Sequence, residues 1–267
     1  MIGSPWPRRL LAAHGALVYL FLYLPIAVLV VFSFNAARQT AVWGGVTLDW
    51  YRRLLDDASL LHAVRNSLEV AGWTTAAATV LGTLAALALG QVRLGGFQDL
   101  RGRGATQALL MLPVIIPEIV LGAALVTFFG AARMRLSLAT VVIAHVVFSV
   151  SYVAIVVRAR LAGLDPALEE AARDLGAGPF DTFRRVTLPL LLPGIAASAL
   201  LVFTLSIDDY VITSFVAGVG ATTLPLHIYS MLKVGVTPEI NAVSTLLLAV
   251  TIVLIVAAQR LLQRRST

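Results

Sequence analysis

Long apolar runs, separated by short polar segments, cover most of this 267-residue chain. A helix needs about 20 mainly apolar residues to cross the hydrocarbon core of a bilayer. Runs of that length predict membrane-spanning helices at roughly residues 10–34, 67–90, 106–130, 138–157, 190–217 and 241–258. We therefore predict an all-α membrane protein with six transmembrane helices, organised as a single transmembrane domain over residues 1–267.

The composition agrees with a lipid environment. Hydrophobic residues make up 59% of the chain and charged residues 13%, whereas a soluble globular domain usually has about 25% charged residues. Arg8 and Arg9 precede the first apolar run, as in a secretory signal peptide. That run is about twice as long as the apolar region of a signal peptide, so we interpret it as an uncleaved first span.

The distribution of lysine and arginine predicts the orientation. With the N-terminus inside, thirteen of the twenty basic residues fall on the cytoplasmic side and seven on the outer side, as the positive-inside rule requires. Both the N- and C-termini are therefore expected in the cytoplasm. This asymmetry accounts for the net charge of +6, so no nucleic-acid partner is expected.

The outer polar segment at residues 35–66 contains an amphipathic stretch at residues 48–55. Its aromatic residues suit a helix that lies in the membrane interface, and a loop packed on the helix ends explains the pattern equally well.

The chain has no cysteine, and its four histidines form no pair at helical spacing. Neither disulfides nor a metal site is therefore expected.

A second polar segment, at residues 163–189 between the fourth and fifth predicted spans, indicates a short cytoplasmic helix. Asp165 followed by Pro166 is a typical helix start, and Gly176 is a typical stop. The apolar residues between them recur at helical spacing: Leu168, Ala171, Ala172 and Leu175. A helix of about ten residues is only marginally stable alone in water. This stripe should therefore pack either on the protein's own helix ends or in a groove of a partner, and periodicity leaves both open.

The same segment carries a longer motif. Its residues are Glu170-Ala171-Ala172, Gly176, Val186 and Leu188-Pro189. They resemble the EAA signature of the permeases of binding-protein-dependent ABC importers, with valine where isoleucine is usual. The resemblance implies the architecture of a type I ABC importer permease, whose short helix docks in a cleft of an ABC ATPase. Two copies of that ATPase are implied, and their closure would be transmitted to the membrane helices.

The resemblance further implies a transport subunit that is not an enzyme, with no catalytic residues and no cofactor of its own. The sequence contains no Gly-x-x-x-x-Gly-Lys-Ser/Thr phosphate loop, so ATP and Mg²⁺ are expected on the partner ATPase. The implied location is the bacterial inner membrane, where the chain would be a multi-pass protein surrounded by lipid.

Three acidic residues lie inside predicted spans and away from the membrane edges: Glu118, Asp208 and Asp209. A charge near the bilayer centre costs roughly 2.5–3.5 kcal/mol, and no lysine or arginine lies in the third or fifth predicted span. Such carboxylates face the bundle interior and either pair with histidine, hold a proton or serve a cationic ligand. We expect a pathway for a cationic substrate with spaced amines, with His145 at a similar depth. An anion pathway would instead require arginine or helix N-termini.

Aromatic residues occur near these acids in the fourth and fifth predicted spans: Tyr152, Phe203 and Tyr210. They can add cation–π contacts of about 0.5–2 kcal/mol each to a cationic substrate, or they can serve in ordinary helix packing. Neighbouring helical residues point about 100° apart, so we expect only one of Asp208 and Asp209 to face the pathway.

Four stretches resemble the spermidine/putrescine transporter permeases, and more narrowly the second permease of each pair: residues 117–119, 203–209, 224–231 and 233–242. The resemblance implies a polyamine substrate, a heterodimer with a homologous sister permease, and a periplasmic polyamine-binding protein. One alternative is an ABC importer permease for another solute, such as an opine or an aminophosphonate. Another is a secondary transporter or channel whose acids relay protons, although such a protein has no use for an ATPase-docking helix.

Overall fold

The computed structural model describes residues 5–38, 42–90, 103–235 and 237–263. Apart from an isolated bridge between Asn35 and Val46, the regular structure in these ranges is helical, which confirms the all-α prediction. The helices are α1 (Pro5–Phe32), α2 (Asp49–Asp56), α3 (Ala58–Leu89), α4 (Arg103–Ile115), α5 (Glu118–Ala131), α6 (Leu138–Ala162), α7 (Pro166–Asp174), α8 (Pro179–Thr182), α9 (Leu188–Asp208), α10 (Val211–Val216), α11 (Leu224–Val234) and α12 (Pro238–Gln263). A π-helical turn, Phe183–Thr187, connects α8 to α9.

The helix lengths agree with most of the predicted spans. Among the described residues, α1, α3, α6 and the segment Pro179–Asp208 are long and apolar enough to cross a membrane. Helices α4 and α5 pass the same test only as a pair, bent by 108° at a short break, which is the geometry of a broken span or a re-entrant loop. The described apolar part of α12 ends at Val253, so the sixth span and the cytoplasmic termini stay predictions. Several residues that support this orientation lie outside the described ranges: Arg93, Arg101, Arg264 and Arg265.

Two of the predicted spans are interrupted. Pro117 lies between α4 and α5, where its ring and missing N–H oppose a continuous helix, which accounts for the bend before Glu118. The prediction of one continuous helix over residues 190–217 is wrong, because α9 ends at Asp208 and α10 begins at Val211. Hydropathy does not reveal this second break, since it is accompanied by hydrogen bonds that the side chain of Asp209 accepts.

The chain divides into two compact units, residues 1–58 with 228–267 and residues 59–227. In the first unit, α12 packs against both α1 and α2. Helix α2 buries Trp50 and Leu54, and the indole N–H of Trp50 donates a 2.8 Å hydrogen bond to the carbonyl of Asn35. The amphipathic stretch of the outer segment is therefore a helix whose apolar side packs on the protein. The single domain over residues 1–267 stays a prediction.

The second unit is built around α6, which packs against α4, α5, α9 and α10. One buried apolar cluster contains Val70, Phe129, Val141, Ala144, Phe148, Ile212 and Val216. Another contains Ala78, Ala86, Val153, Val157 and Val202. Gly82 permits a close approach of α3 to α6, since a Cβ at this position would lie 2.5 Å from Cβ of Val153. Small residues at such contacts let membrane helices gain packing energy.

The loop between α10 and α11 is held by α3. The side-chain amide of Asn66 donates hydrogen bonds to the carbonyls of Gly220 and Thr222, both at 2.9 Å. The amide of Leu224 donates to the hydroxyl of Ser67 at 2.8 Å. Contacts between residues far apart in sequence therefore position the loop that follows the α9–α10 break.

Candidate translocation and coupling sites

The break between α9 and α10 is organised by the side chain of Asp209. Its Oδ2 accepts hydrogen bonds from the backbone N–H and the hydroxyl of Thr213, at 2.8 and 2.7 Å. Its Oδ1 accepts a longer one, of 3.4 Å, from the N–H of Ile212. These N–H groups belong to the first turn of α10, where no earlier helical carbonyl can accept them. Asp209 therefore acts as a cap that starts a new helix.

His145 of α6 completes this buried cluster. Its Nε2 lies 3.1 Å from Oδ2 of Asp209 and 2.9 Å from the hydroxyl of Thr213, and its Nδ1 lies 2.7 Å from the hydroxyl of Ser206. The side chains of His145 and Asp209 are 0% and 6% exposed. Because a carboxylate accepts, we assign the proton to Nε2, which leaves Nδ1 of a neutral ring to accept from Ser206. The cluster thus joins α6 to both sides of the break.

Asp208, the immediate neighbour of Asp209, is exposed. It is the last residue of α9, where the final carbonyls of the helix lack intrahelical partners and concentrate negative partial charge. A carboxylate at this position adds a full negative charge to that helix end when it is ionised. The arrangement favours a cation beside Asp208.

Glu118 lies at the other break of the second unit. It is the first residue of α5, directly after Pro117, and it is exposed. A Cβ at Gly122 would meet the ring of Phe215 of α10 at 2.7 Å. Since residues four apart share one face of a helix, Glu118 lies on the face of α5 that meets α10.

The aromatic residues have different surroundings. On α6, the ring of Phe148 makes edge contacts with His145 and Tyr152, with centroids 6.0 and 5.8 Å apart. Tyr152 is half-buried and packs against the apolar core. Tyr210 is half-buried and lies within the α9–α10 break. The structure therefore brings His145 and Asp209 into direct contact and connects Tyr152 to them through Phe148.

Sequence reasoning missed two members of the buried cluster, Ser206 and Thr213. They precede and follow Asp209 by three and four residues. Polar side chains at such spacing in an apolar segment share one helix face, and this pattern was the available signal. It does not identify His145 as their partner, because that contact is made between separate helices.

The short helix predicted before Gly176 is present as α7, while its cytoplasmic location stays a prediction. Asp165 accepts a 3.0 Å hydrogen bond from the N–H of Ala167, and Pro166 occupies the first turn. Gly176 has a φ of +85°, and hydrogen bonds of 2.9 Å from Gly176 to Arg173 and 3.0 Å from Ala177 to Ala172 close the helix. This pattern is a Schellman motif.

The apolar stripe of α7 is open to its surroundings. Within α7, every residue of which is described, none is buried. Leu168 is 46% exposed, and Leu175, directly after the helix, is 90% exposed. Glu170, the acidic residue of the EAA motif, is exposed as well. Leu168, Ala171 and Leu175 of the stripe are therefore accessible to a partner, while Ala172 is half-buried.

A cleft of about 990 Å³ lies beside α7, at the adjacent ends of α4, α6 and α9. Its polar lining includes Gln107, Arg158, Glu169, Glu170 and Arg173. The rest of the motif lies at the base of α9. Val186 is part of the π-turn, Leu188 is the first residue of α9, and Pro189 is in the first turn of that helix.

The family model for the inner membrane component of binding-protein-dependent transport systems matches residues 78–267. The chain belongs to this family. It is 42% identical over 254 residues to the putrescine transport system permease protein PotI of Escherichia coli K12, a match that covers 93% of this chain and 87% of PotI. It is 40% identical over 259 residues to the spermidine/putrescine transport system permease protein PotC of the same strain, covering 97% of this chain and 94% of PotC.

Solved structures show the same fold. A chain of a bacterial ABC transporter that imports the acidic polysaccharide alginate has a TM-score of 0.77 at 20% identity, covering 98% of this chain and 96% of that one. A chain of the inward-facing methionine transporter MetNI has a TM-score of 0.66 at 22% identity. The match covers 76% of this chain and 94% of that one. The resemblance to ABC importer permeases is thereby confirmed, and this permease is a multi-pass inner-membrane protein and not an enzyme.

Proposed function

We propose that this permease translocates polyamines across the inner membrane as one subunit of an ATP-driven importer. The observation that carries the proposal is the exposed Asp208 at the carboxyl end of α9, beside a break in the helix. The identity of about 40% to permeases for putrescine and for spermidine/putrescine supports the substrate class.

The chemistry of this helix end suits an alkylammonium group. Carbonyls at the carboxyl end of a helix attract cations, and broken helices in transporters present such ends to coupling cations. Glu118, at the start of α5, supplies a second exposed carboxylate on the face that meets α10. A substrate with two or more amines can bind both carboxylates in succession. Tyr152 and Tyr210 would add aromatic faces that bind ammonium groups.

The predicted pathway residues then divide into two roles. Asp208 and Glu118 contact the substrate, since both are exposed. Asp209 and His145 hold the break in place, since their polar atoms bind each other and Thr213. This division follows the expectation that only one of the adjacent aspartates faces the pathway.

The proposed assembly contains this chain, a homologous sister permease, two copies of an ABC ATPase that hold ATP and Mg²⁺, and a periplasmic polyamine-binding protein. The accessible apolar stripe of α7 supports docking of the ATPase, with Glu170, Ala171 and Ala172 at the contact. Gly176 ends that helix, and Leu188 and Pro189 start α9. A relative in fold, the alginate transporter, forms a complex with a periplasmic protein.

Uptake of labelled putrescine by the complete transporter in proteoliposomes tests the proposal. Asp208→Asn removes the negative charge without changing side-chain shape. We expect the putrescine concentration that gives half-maximal uptake to rise about tenfold, because a charged contact is lost. Glu118→Gln should act in the same direction. The matched control is Asp56→Asn, because Asp56 is exposed in the other compact unit, and its uptake should equal wild type.

Unchanged uptake in both Asp208→Asn and Glu118→Gln would contradict the cationic pathway. Failure of excess putrescine and spermidine to compete with the transported solute would contradict the polyamine assignment. In that event an opine or aminophosphonate that competes would identify the permease as one for another solute.

A further inference from the structure

Glu169 links the exposed helix α7 to the base of α9. Its Oε1 accepts a 2.7 Å hydrogen bond from the hydroxyl of Thr187, and its Oε2 lies 3.5 Å from the guanidinium of Arg173. Thr187 is 1% exposed, and Glu169 is half-buried. The adjacent Glu170 is exposed. Neighbouring glutamates thus have different surroundings, one turned toward the membrane helices and one open to a partner.

Thr187 occupies a special position in the backbone. It is the last residue of the π-turn, and the N–H of Leu188 bonds to the carbonyl of Phe183 across that wider turn. Turns of this kind are rare and are frequently found at functional sites. Helix α9 begins at the next residue and continues for 21 residues to Asp208. At 1.5 Å per residue this is about 30 Å of helix, which connects Thr187 to the exposed carboxylate.

Helix α7 is largely exposed. None of its nine residues, all described, is buried. Its ends are formed by local hydrogen bonds, from Ala167 to Asp165 at the start and from Gly176 to Arg173 at the end. Besides its covalent connections to the flanking loops, α7 contacts α8 and the π-turn. The bond from Thr187 to Glu169 is therefore a direct polar connection between α7 and the residue that precedes α9.

We propose that the Glu169–Thr187 hydrogen bond transmits the displacement of α7 to α9, which makes Glu169 and Thr187 positioning residues for energy coupling. The inference rests on the proposed docking of an ATPase at α7. Docking itself is assigned to the exposed residues of that helix. The bond determines whether movement of the docked helix reaches the break that carries Asp208.

The test measures putrescine transported per ATP hydrolysed by the complete transporter in proteoliposomes. Thr187→Val keeps the branched shape and removes the hydroxyl, whereas Thr187→Ser keeps the hydroxyl. We expect Thr187→Val to retain the ATPase and its ATP hydrolysis but to lower the transport ratio about tenfold, as befits loss of a hydrogen bond to a charged acceptor. The ratio for Thr187→Ser should stay within about twofold of wild type.

A double-mutant cycle assigns the effect to this bond. If the two residues act through one interaction, Thr187→Val should lower the ratio no further when it is introduced into Glu169→Ala, because the losses are not additive. A further additive loss would overturn the assignment. So would an unchanged ratio in Thr187→Val, or a parallel fall of transport and ATP hydrolysis at constant ratio. Failure of the wild-type permease to retain an ATPase would instead overturn the proposed docking.

Discussion

The ring of His145 and the carboxylate of Asp209 meet at 3.1 Å although 64 positions separate them in the chain. The contact joins α6 to the break between α9 and α10. Burying polar groups is costly unless they are hydrogen-bonded, and here Ser206, Thr213 and the first turn of α10 supply the remaining partners. The pair therefore has the environment of a structural cluster, while the adjacent Asp208 is exposed.

Replacing Asp209 with alanine should destabilise the protein. The change removes the cap of α10 and takes an acceptor away from both His145 and Thr213. Leaving a buried hydrogen-bonding group without its partner typically costs about 1–3 kcal/mol. Thermal unfolding of the purified permease in detergent should show a markedly lower midpoint.

Asp208→Ala is the matched control for that measurement. Since Asp208 is exposed, its removal should leave the unfolding midpoint near that of wild type while it impairs putrescine uptake. Equal midpoints for Asp209→Ala and wild type would contradict the structural role of the buried cluster.

Alanine at Gly82 should disrupt the contact between α3 and α6. Its Cβ would lie 2.5 Å from Cβ of Val153 and 2.8 Å from the carbonyl oxygen of Val150. Overpacking of this kind typically costs about 1–3 kcal/mol. The thermal unfolding midpoint in detergent should fall.

The same helix offers a control at Gly72. A Cβ added at Gly72 would meet no atom of a neighbouring element within 4 Å among the described residues. Gly72→Ala should therefore raise stability by about 0.5–1 kcal/mol through helix propensity. If Gly82→Ala proved as stable as Gly72→Ala, α3 and α6 would not approach each other this closely.

Charge reversal at Glu170 should prevent ATPase docking. Glu170→Arg changes an exposed residue of α7, so insertion into the membrane and the unfolding midpoint should not change. Co-purification of the ATPase should be lost, because the substitution reverses a charge at the proposed docking contact. Asp56→Arg reverses an exposed charge in the other compact unit and should leave co-purification intact. Normal ATPase recovery with Glu170→Arg would contradict docking through this residue.

The parts of the structure that depend on local sequence were predictable. Apolar runs located α1, α3 and α6, because the length of a spanning helix follows directly from the thickness of a bilayer. Asp165 and Gly176 predicted both ends of α7, because helix caps are made by residues adjacent in sequence. The EAA motif in turn predicted the family. These features need no knowledge of what packs against them.

The sequence by itself thus determined the class of membrane protein, the short helix α7 and the presence of acids in apolar segments. Only the tertiary structure decided that Asp209 is buried against His145 while Asp208 is exposed, and that Glu169 bonds to Thr187. The physical reason is the range of the interactions. Hydropathy and capping act within one helix, whereas the environment of a carboxylate depends on which distant helices pack around it.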